Sequence, residues 1–174
     1  MESPGLTTAF MRGFLEESNR IEGIFEDIPA SHIKAATKVV LSPEHDAQRV
    51  VANLVNFVSK VQPDAQFRNK IGIPGVRVGM HFAPHSGPDI EEELIRIIQD
   101  MFAGKGASVF ECHCRYQSLH PFTDGNGRSG RLLSLRHIHW MRPKVYGMIH
   151  NLGWLHSWYY LSLSNHDSRV KSGD

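Results

Sequence analysis

The sequence predicts a mainly α-helical fold, a bundle of helices carrying one small β-hairpin. Three observations predict it. Apolar residues recur at three- and four-residue spacing through successive segments of the chain. The ends of those segments carry residues that cap or stop helices. Glycine and proline gather instead in one stretch, Ile71 to Pro88, where pieces such as Val76-Arg77-Val78 give the only strand-like pattern.

Taken in order, the first helix is expected from Leu6 to about Glu17. Leu6, Phe10, Phe14 and Leu15 form its apolar stripe, and Thr7 or Thr8 caps it. A second runs from Ser31 to Leu41, with Ser31 as cap after Pro29 and Ile33, Ala36, Val39 and Val40 facing inward. The third and strongest spans Pro43 to Val61. Pro43 sits in its first turn, and Val50, Val51, Leu54, Val55, Phe57 and Val58 line one face. After the glycine-rich stretch, a helix over Ile90 to Phe102 carries Glu91, Glu92 and Glu93 early, where acids suit the positive end of the helix dipole. Another is expected from Lys105 to Leu119, stopping before Pro121. A further one from Arg128 to Met141, with Leu132, Leu133, Leu135 and Ile138, is ended by Pro143. Val145 to Leu163 reads as helical and aromatic. Its Trp154, Trp158, Tyr159 and Tyr160 fit a core or an oligomer surface, which admits a homo-oligomer. The polar tail, 165–174, is expected to be disordered.

The 174 residues read as a single domain, 1–174. A net charge of +1 gives no broad basic surface, so neither nucleic acid nor an anionic membrane is expected as partner. No apolar run is long enough to span a bilayer, and the N-terminus lacks a signal-peptide pattern. Two cysteines, Cys112 and Cys114, make no disulfide framework, which favours a reducing, cytoplasmic compartment. Nor do they read as zinc ligands, since residues two apart on a helix point apart; His137 and His139 share that problem. His81 and His85 read as exposed loop residues.

The chemistry concentrates in His120 to Arg131. A helix ends, a short loop follows, and a helix begins. Gly125 and Gly127 let backbone N–H groups converge, and the new helix adds its unpaired N–H groups and dipole, which together suit an anion. Arg128 and Arg131, three apart, add two guanidinium forks on neighbouring positions, a set better matched to a polyphosphate than to one carboxylate. Asp124 fits such a site when a cation such as Mg²⁺ accompanies the phosphates. His120 is the side chain here able to take a proton near neutral pH, and Phe122 reads as a core plug pinning the loop. The set describes phosphoryl or nucleotidyl transfer.

The run His120-Pro121-Phe122-Thr123-Asp124-Gly125-Asn126-Gly127-Arg128-Ser129-Gly130-Arg131 resembles the signature of the Fic family, H-x-F-x-(D or E)-G-N-G-R-x-x-R, at every specified position. His113, Tyr116 and Leu119 resemble its lead-in. The resemblance covers a catalytic core at about 71–141 and implies the Fic fold. It also implies transfer of AMP from ATP to a Tyr, Thr or Ser hydroxyl of a target protein, with release of pyrophosphate. His120 would then be the base and Asp124 the Mg²⁺ ligand. Asn126 would stabilise developing charge, with Thr123, Gly125 and Gly127 in the phosphate-binding loop. Arg128 would hold the β-phosphate and Arg131 the γ-phosphate. Ser18-Asn19-Arg20-Ile21-Glu22-Gly23 resembles the family's inhibitory motif, (S or T)-x-x-x-E-(G or N), within an N-terminal region at about 6–30. The implied contact is Glu22 on Arg131, a self-inhibited arrangement. The hairpin region, Val76, Arg77, Val78, Gly79, Met80, His81 and Phe82, is similar in placement to the flap that docks the target by strand addition. Other readings stay open: a phosphotransferase, a phosphocholine transferase, a hydrolase that removes AMP, or a nucleotide-binding module without turnover. Gly127 argues against the kinase-like branch, which typically lacks that glycine.

Overall fold

The structure is a computed structural model and describes residues 6–43, 45–78, 81–102 and 108–141. The expected helix from Val145 and the tail at 165–174 lie outside the described residues, as do Gly79 and Met80 of the hairpin. Within them the chain is mainly helical. The elements are α1 (Thr8–Ile21), α2 (Ala30–Val40), α3 (Ala47–Val61), β1 (Arg77–Val78), β2 (His81–Phe82), α4 (Pro88–Phe102), α5 (Val109–Leu119) and α6 (Asn126–Met141).

Local chemistry accounts for where these elements start. Thr7 Oγ1 accepts from Phe10 N at 3.1 Å and caps α1. Asp46, not the first turn containing Pro43, starts α3, its carboxylate accepting from Arg49 N at 2.9 Å. Ser31 is no cap. Pro29 holds that position, with φ −61° already set by its ring, so α2 opens a residue before Ser31. Ser108 and Glu111 form a reciprocal capping box at the start of α5. At the other end α1 runs past Glu17 to Ile21, because the next stop signal is Gly23.

α6 is the axis of the domain. It packs against α1, α2, α3, α4 and α5, while α2 lies on α3 and α4 on α5. Residues from Arg128 to Ile138 are buried without interruption, so α6 lacks the single apolar stripe of a surface helix. Met11, Phe14, Leu54, Phe57, Leu94, Ile97, Tyr116 and Leu132 fill the core around it. Polar side chains on this buried helix are bonded: Arg136 Nη2 donates to Ser42 O and Pro43 O, and Trp140 Nε1 to Val40 O. The hairpin is antiparallel, pairing Arg77 with Phe82 and Val78 with His81. No helix among the described residues is long and apolar enough to cross a membrane.

Candidate active site

The loop between α5 and α6 is built before it is functional. Asn126 makes two bonds to one residue: its Nδ2 donates to Phe122 O at 2.8 Å, and its Oδ1 accepts from Phe122 N at 3.0 Å. The clasp closes the loop and pulls α6 back to start at Asn126, two residues before the expected Arg128. Phe122 is buried, as its reading as a core plug requires, and its ring lies 5.3 Å from that of Phe67. The outer edge is held by the segment after α3. Thr123 N donates to Gln66 O at 3.0 Å, Thr123 Oγ1 accepts from Gln66 N at 2.9 Å, and Arg68 N donates to Pro121 O at 2.9 Å. Thr123 thus spends its hydroxyl on the frame of the loop.

The start of α6 is left open to a ligand. Gly125 stands at its N-cap with φ +80°, and its carbonyl accepts from Ser129 N. Without a side chain Gly125 cannot cap the first N–H groups, those of Asn126, Gly127 and Arg128. Asp124 Oδ1 accepts from Gly125 N at 2.6 Å, which fixes the carboxylate at the rim. A cavity of about 250 Å³ opens here, lined by Glu22, Gln117, His120, Thr123, Asp124, Gly125, Asn126, Gly127 and Arg128.

His120 ends α5 in the left-handed region, φ 49° and ψ 63°. Its Nδ1 lies 2.7 Å from Gln117 O. A carbonyl oxygen only accepts, so Nδ1 carries the proton and Nε2 keeps its lone pair. Burial lowers the His120 pKa below the ordinary 6.5 more than anything else does; the Arg68 and His81 charges push the same way, and the Gln117 bond and Asp124 oppose them. The imidazole is therefore neutral and basic at neutral pH, in the tautomer a general base needs.

The two arginines part company. Arg128 Nη1 donates to Val61 O at 3.0 Å and its Nη2 to Gln62 Oε1 at 2.8 Å, so its fork holds the end of α3 while still lining the cavity. Burial lowers its pKa, with Glu22 and Asp124 acting against that. Arg131 turns toward α1. Its Nε donates to Ser18 Oγ at 2.9 Å, and its Nη2 to Ser18 O at 2.9 Å and to Glu22 Oε1 at 2.6 Å.

Glu22 reaches that place because of Gly23. Glu22 is the C-cap of α1, and Gly23 follows with φ +74°. Gly23 N donates to Arg20 O at 3.0 Å and Ile24 N to Asn19 O at 2.9 Å, the Schellman arrangement that stops a helix at a left-handed glycine. The stop sets the Glu22 carboxylate over the start of α6. A Cβ placed on Gly127 would run into Glu22 Oε1. Gly127 thus clears the space the carboxylate occupies.

Two residues that complete the site, Gln117 and Arg68, carry no sequence signal. Gln117 bonds His120 through its carbonyl and donates from Nε2 to Asn126 O at 3.3 Å. Arg68 is fully buried, with Nη1 on the carbonyls of Leu119 and His120. His81 is exposed as expected, yet its Nε2 donates to Ser118 O at 2.8 Å, which rests the hairpin on α5. Cys112 is buried and Cys114 only half so.

A loop clasped by Asn126, a neutral imidazole beside it and an uncapped helix start form one contiguous site on a helical frame. The model of the Fic/DOC family matches residues 43–137, more than half of the chain, and includes all of that loop. The chain belongs to the Fic/DOC family. The match starts after α1 and does not include Ser18 or Glu22. No solved structure matches the chain.

Proposed function

We propose that this Fic-family enzyme is a protein adenylyltransferase, moving AMP from ATP to a hydroxyl side chain of a target protein, and that Glu22 holds it in check. The observation that carries the reading is the 2.7 Å contact of His120 Nδ1 with Gln117 O. The Nδ1 proton is committed to that carbonyl, and Nε2 is left for the cavity at the start of α6. In the proposed step, Nε2 takes the proton of the target hydroxyl and the freed oxygen bonds the α-phosphorus. The bond from that phosphorus to the oxygen bridging toward the β-phosphate breaks, and pyrophosphate leaves with the electron pair. The open N–H groups of Asn126, Gly127 and Arg128 would receive the charge that builds on the phosphate oxygens. Asn126 would act through the loop it clasps, since its side chain is spent on Phe122.

The residues present fit magnesium. Asp124 is an exposed carboxylate beside a phosphate cradle, and no cluster of three or more His, Cys, Asp or Glu suited to a metal occurs among the described residues. Its remaining ligands would be phosphate oxygens and water, the usual arrangement for this ion. When bound, it would neutralise charge on the phosphates.

The inhibitory half of the reading rests on occupancy. While Glu22 holds Arg131, the guanidinium Nη2 is engaged, and the carboxylate adds a negative charge where a phosphate would come. A γ-phosphate then loses a partner and meets repulsion. The hairpin would offer its edge to the target backbone. Mass spectrometry of a modified target tests the donor: an increment of one AMP supports the reading, while a lone phosphate or a phosphocholine replaces it with a sister chemistry.

A further inference from the structure

Arg68 lies in the connection between α3 and β1 and is completely buried. All three of its side-chain partners in the described structure are carbonyl oxygens. Nη1 donates to Leu119 O at 3.2 Å and to His120 O at 2.5 Å, and Nη2 donates to Pro84 O. Its backbone is held as well, through Arg68 N to Pro121 O and Gly87 N to Arg68 O, both 2.9 Å. Leu119 and His120 are the end of α5; Pro84 follows β2. One guanidinium therefore joins two chain segments that are far apart in sequence.

The placement is specific. His120 is the only non-glycine residue with positive φ among the described residues, and its backbone is thus held in a conformation that needs support from its surroundings. Arg68 supplies it at the carbonyl of His120 itself and at the carbonyl before it. Those carbonyls are also the negative end of α5, where a cation is favoured. A planar fork can reach two segments at fixed angles; a lysine ammonium would lose that geometry while keeping the charge.

We propose that Arg68 is a positioning residue that locks His120 and the hairpin into one rigid unit, so that the base and the edge on which a target docks keep a fixed separation. This rests on reading His120 as the base and the hairpin as the docking edge. His81, bonded from β2 to Ser118 O, is a second tie in the same direction. Any target seated on the hairpin would then be presented to Nε2 in a register set by Arg68. A mere core buttress would instead affect stability and leave the imidazole as it was.

The test uses the full chain with Glu22→Gly as parent, and Arg68→Lys and Arg68→Met added to it. Three quantities are read: the His120 tautomer and titration by nitrogen-15 NMR of the imidazole, amide exchange at residues 81–83 and 118–120, and kcat against KM for AMP transfer. In Arg68→Lys, kcat is expected to fall about 10- to 100-fold, the size of effect that a misplaced catalytic group produces. KM for ATP should hold, exchange in both segments should quicken together, and the imidazole should become a tautomer mixture with its titration midpoint kept. In Arg68→Met the midpoint should also rise, because a charge opposing the imidazolium is gone. The other groups facing the ring stay in place: the Gln117 carbonyl on α5, His81 on β2, Asp124 and Arg128 around the start of α6, and Glu22 from α1. Parent-like tautomer and exchange in Arg68→Lys would overturn the proposal, and so would failure of both variants to fold. If the Glu22→Gly parent transfers no AMP, the functional reading fails, while the NMR and exchange data still decide the role of Arg68.

Discussion

Arg131 Nη2 and Glu22 Oε1 lie 2.6 Å apart, and the two partners meet water unequally: the arginine side chain is 1% exposed and the glutamate 39%. The asymmetry makes the contact releasable. The carboxylate can swing into solvent and regain its hydration. The guanidinium stays buried and keeps its bonds to Ser18 Oγ and Ser18 O. Removing Glu22 therefore does not strand a bare buried charge, which would otherwise be strongly destabilising.

Ser18 is the hinge of that arrangement, and Ser18→Ala should show it. Ser18 is buried and its hydroxyl accepts from Arg131 Nε. The variant should lose about 1–2 kcal/mol of stability, the cost of leaving a buried donor unmade. Because Arg131 would then be less well aimed at Glu22, AMP transfer should rise above wild type yet stay below Glu22→Gly. Denaturant melts and labelling with tagged ATP measure both; a variant as silent as wild type would show that Ser18 plays no part in the restraint.

Gly127→Ala separates space from charge. The new Cβ would enter the place of Glu22 Oε1 and displace it. The same Cβ would narrow the phosphate cradle. The expected outcome is a weakened Glu22–Arg131 contact with no gain in transfer and weaker ATP binding by calorimetry. Transfer at the level of Glu22→Gly would mean the cradle lies elsewhere.

The pH dependence has a definite sign. His120 has its pKa lowered, chiefly by burial, so less of it is protonated at a given pH than of a free histidine. The acid limb of kcat/KM for Glu22→Gly should therefore fall below pH 6.5. Asp124 acts to raise that pKa, so Asp124→Asn should move the limb lower still among molecules that retain activity. A limb at or above the ordinary histidine value would contradict the assigned base.

Stability should follow His113. Burial lowers its pKa from 6.5 to about 4, with Arg131 adding to the lowering and a bond to the Gly130 backbone opposing it. The unfolded chain thus binds a proton that the folded chain refuses. The contribution is complete above the unfolded value and declines as pH falls from 6.5 toward about 4. The loss amounts to a few kcal/mol at most. Chemical denaturation between neutral pH and pH 4 should be flatter in a His113→Asn variant than in the parent.

The sequence shows the helices and the loop more fully than it shows what holds them. The apolar spacing that places α3 and α4 survives into the structure because it is the core-facing stripe. Boundaries moved where a local competitor was stronger. Asp46 outbid Pro43, Pro29 displaced Ser31, and Asn126, which reads as half of a turn dipeptide, drew α6 back through its clasp on Phe122. His120 and the residues from Thr123 to Arg128 line one cavity, while Arg131 turns from it toward α1, where Ser18 and Glu22 reach it across 113 and 109 positions of chain. Arg68 and Gln117 were illegible, because burial of an arginine against carbonyls leaves no periodic trace and a glutamine's backbone carbonyl has no residue identity.

The most direct measurement is a parallel incubation of wild type, Glu22→Gly and Glu22→Gly/His120→Ala with a cell lysate and ATP labelled on either the α- or the γ-phosphate. Label beyond that of the lysate alone should come from the α-position only, strongly with Glu22→Gly, weakly with wild type and not with the double variant. Equal labelling by wild type and Glu22→Gly, extra label arriving from the γ-position, or undiminished transfer without His120 would contradict the account.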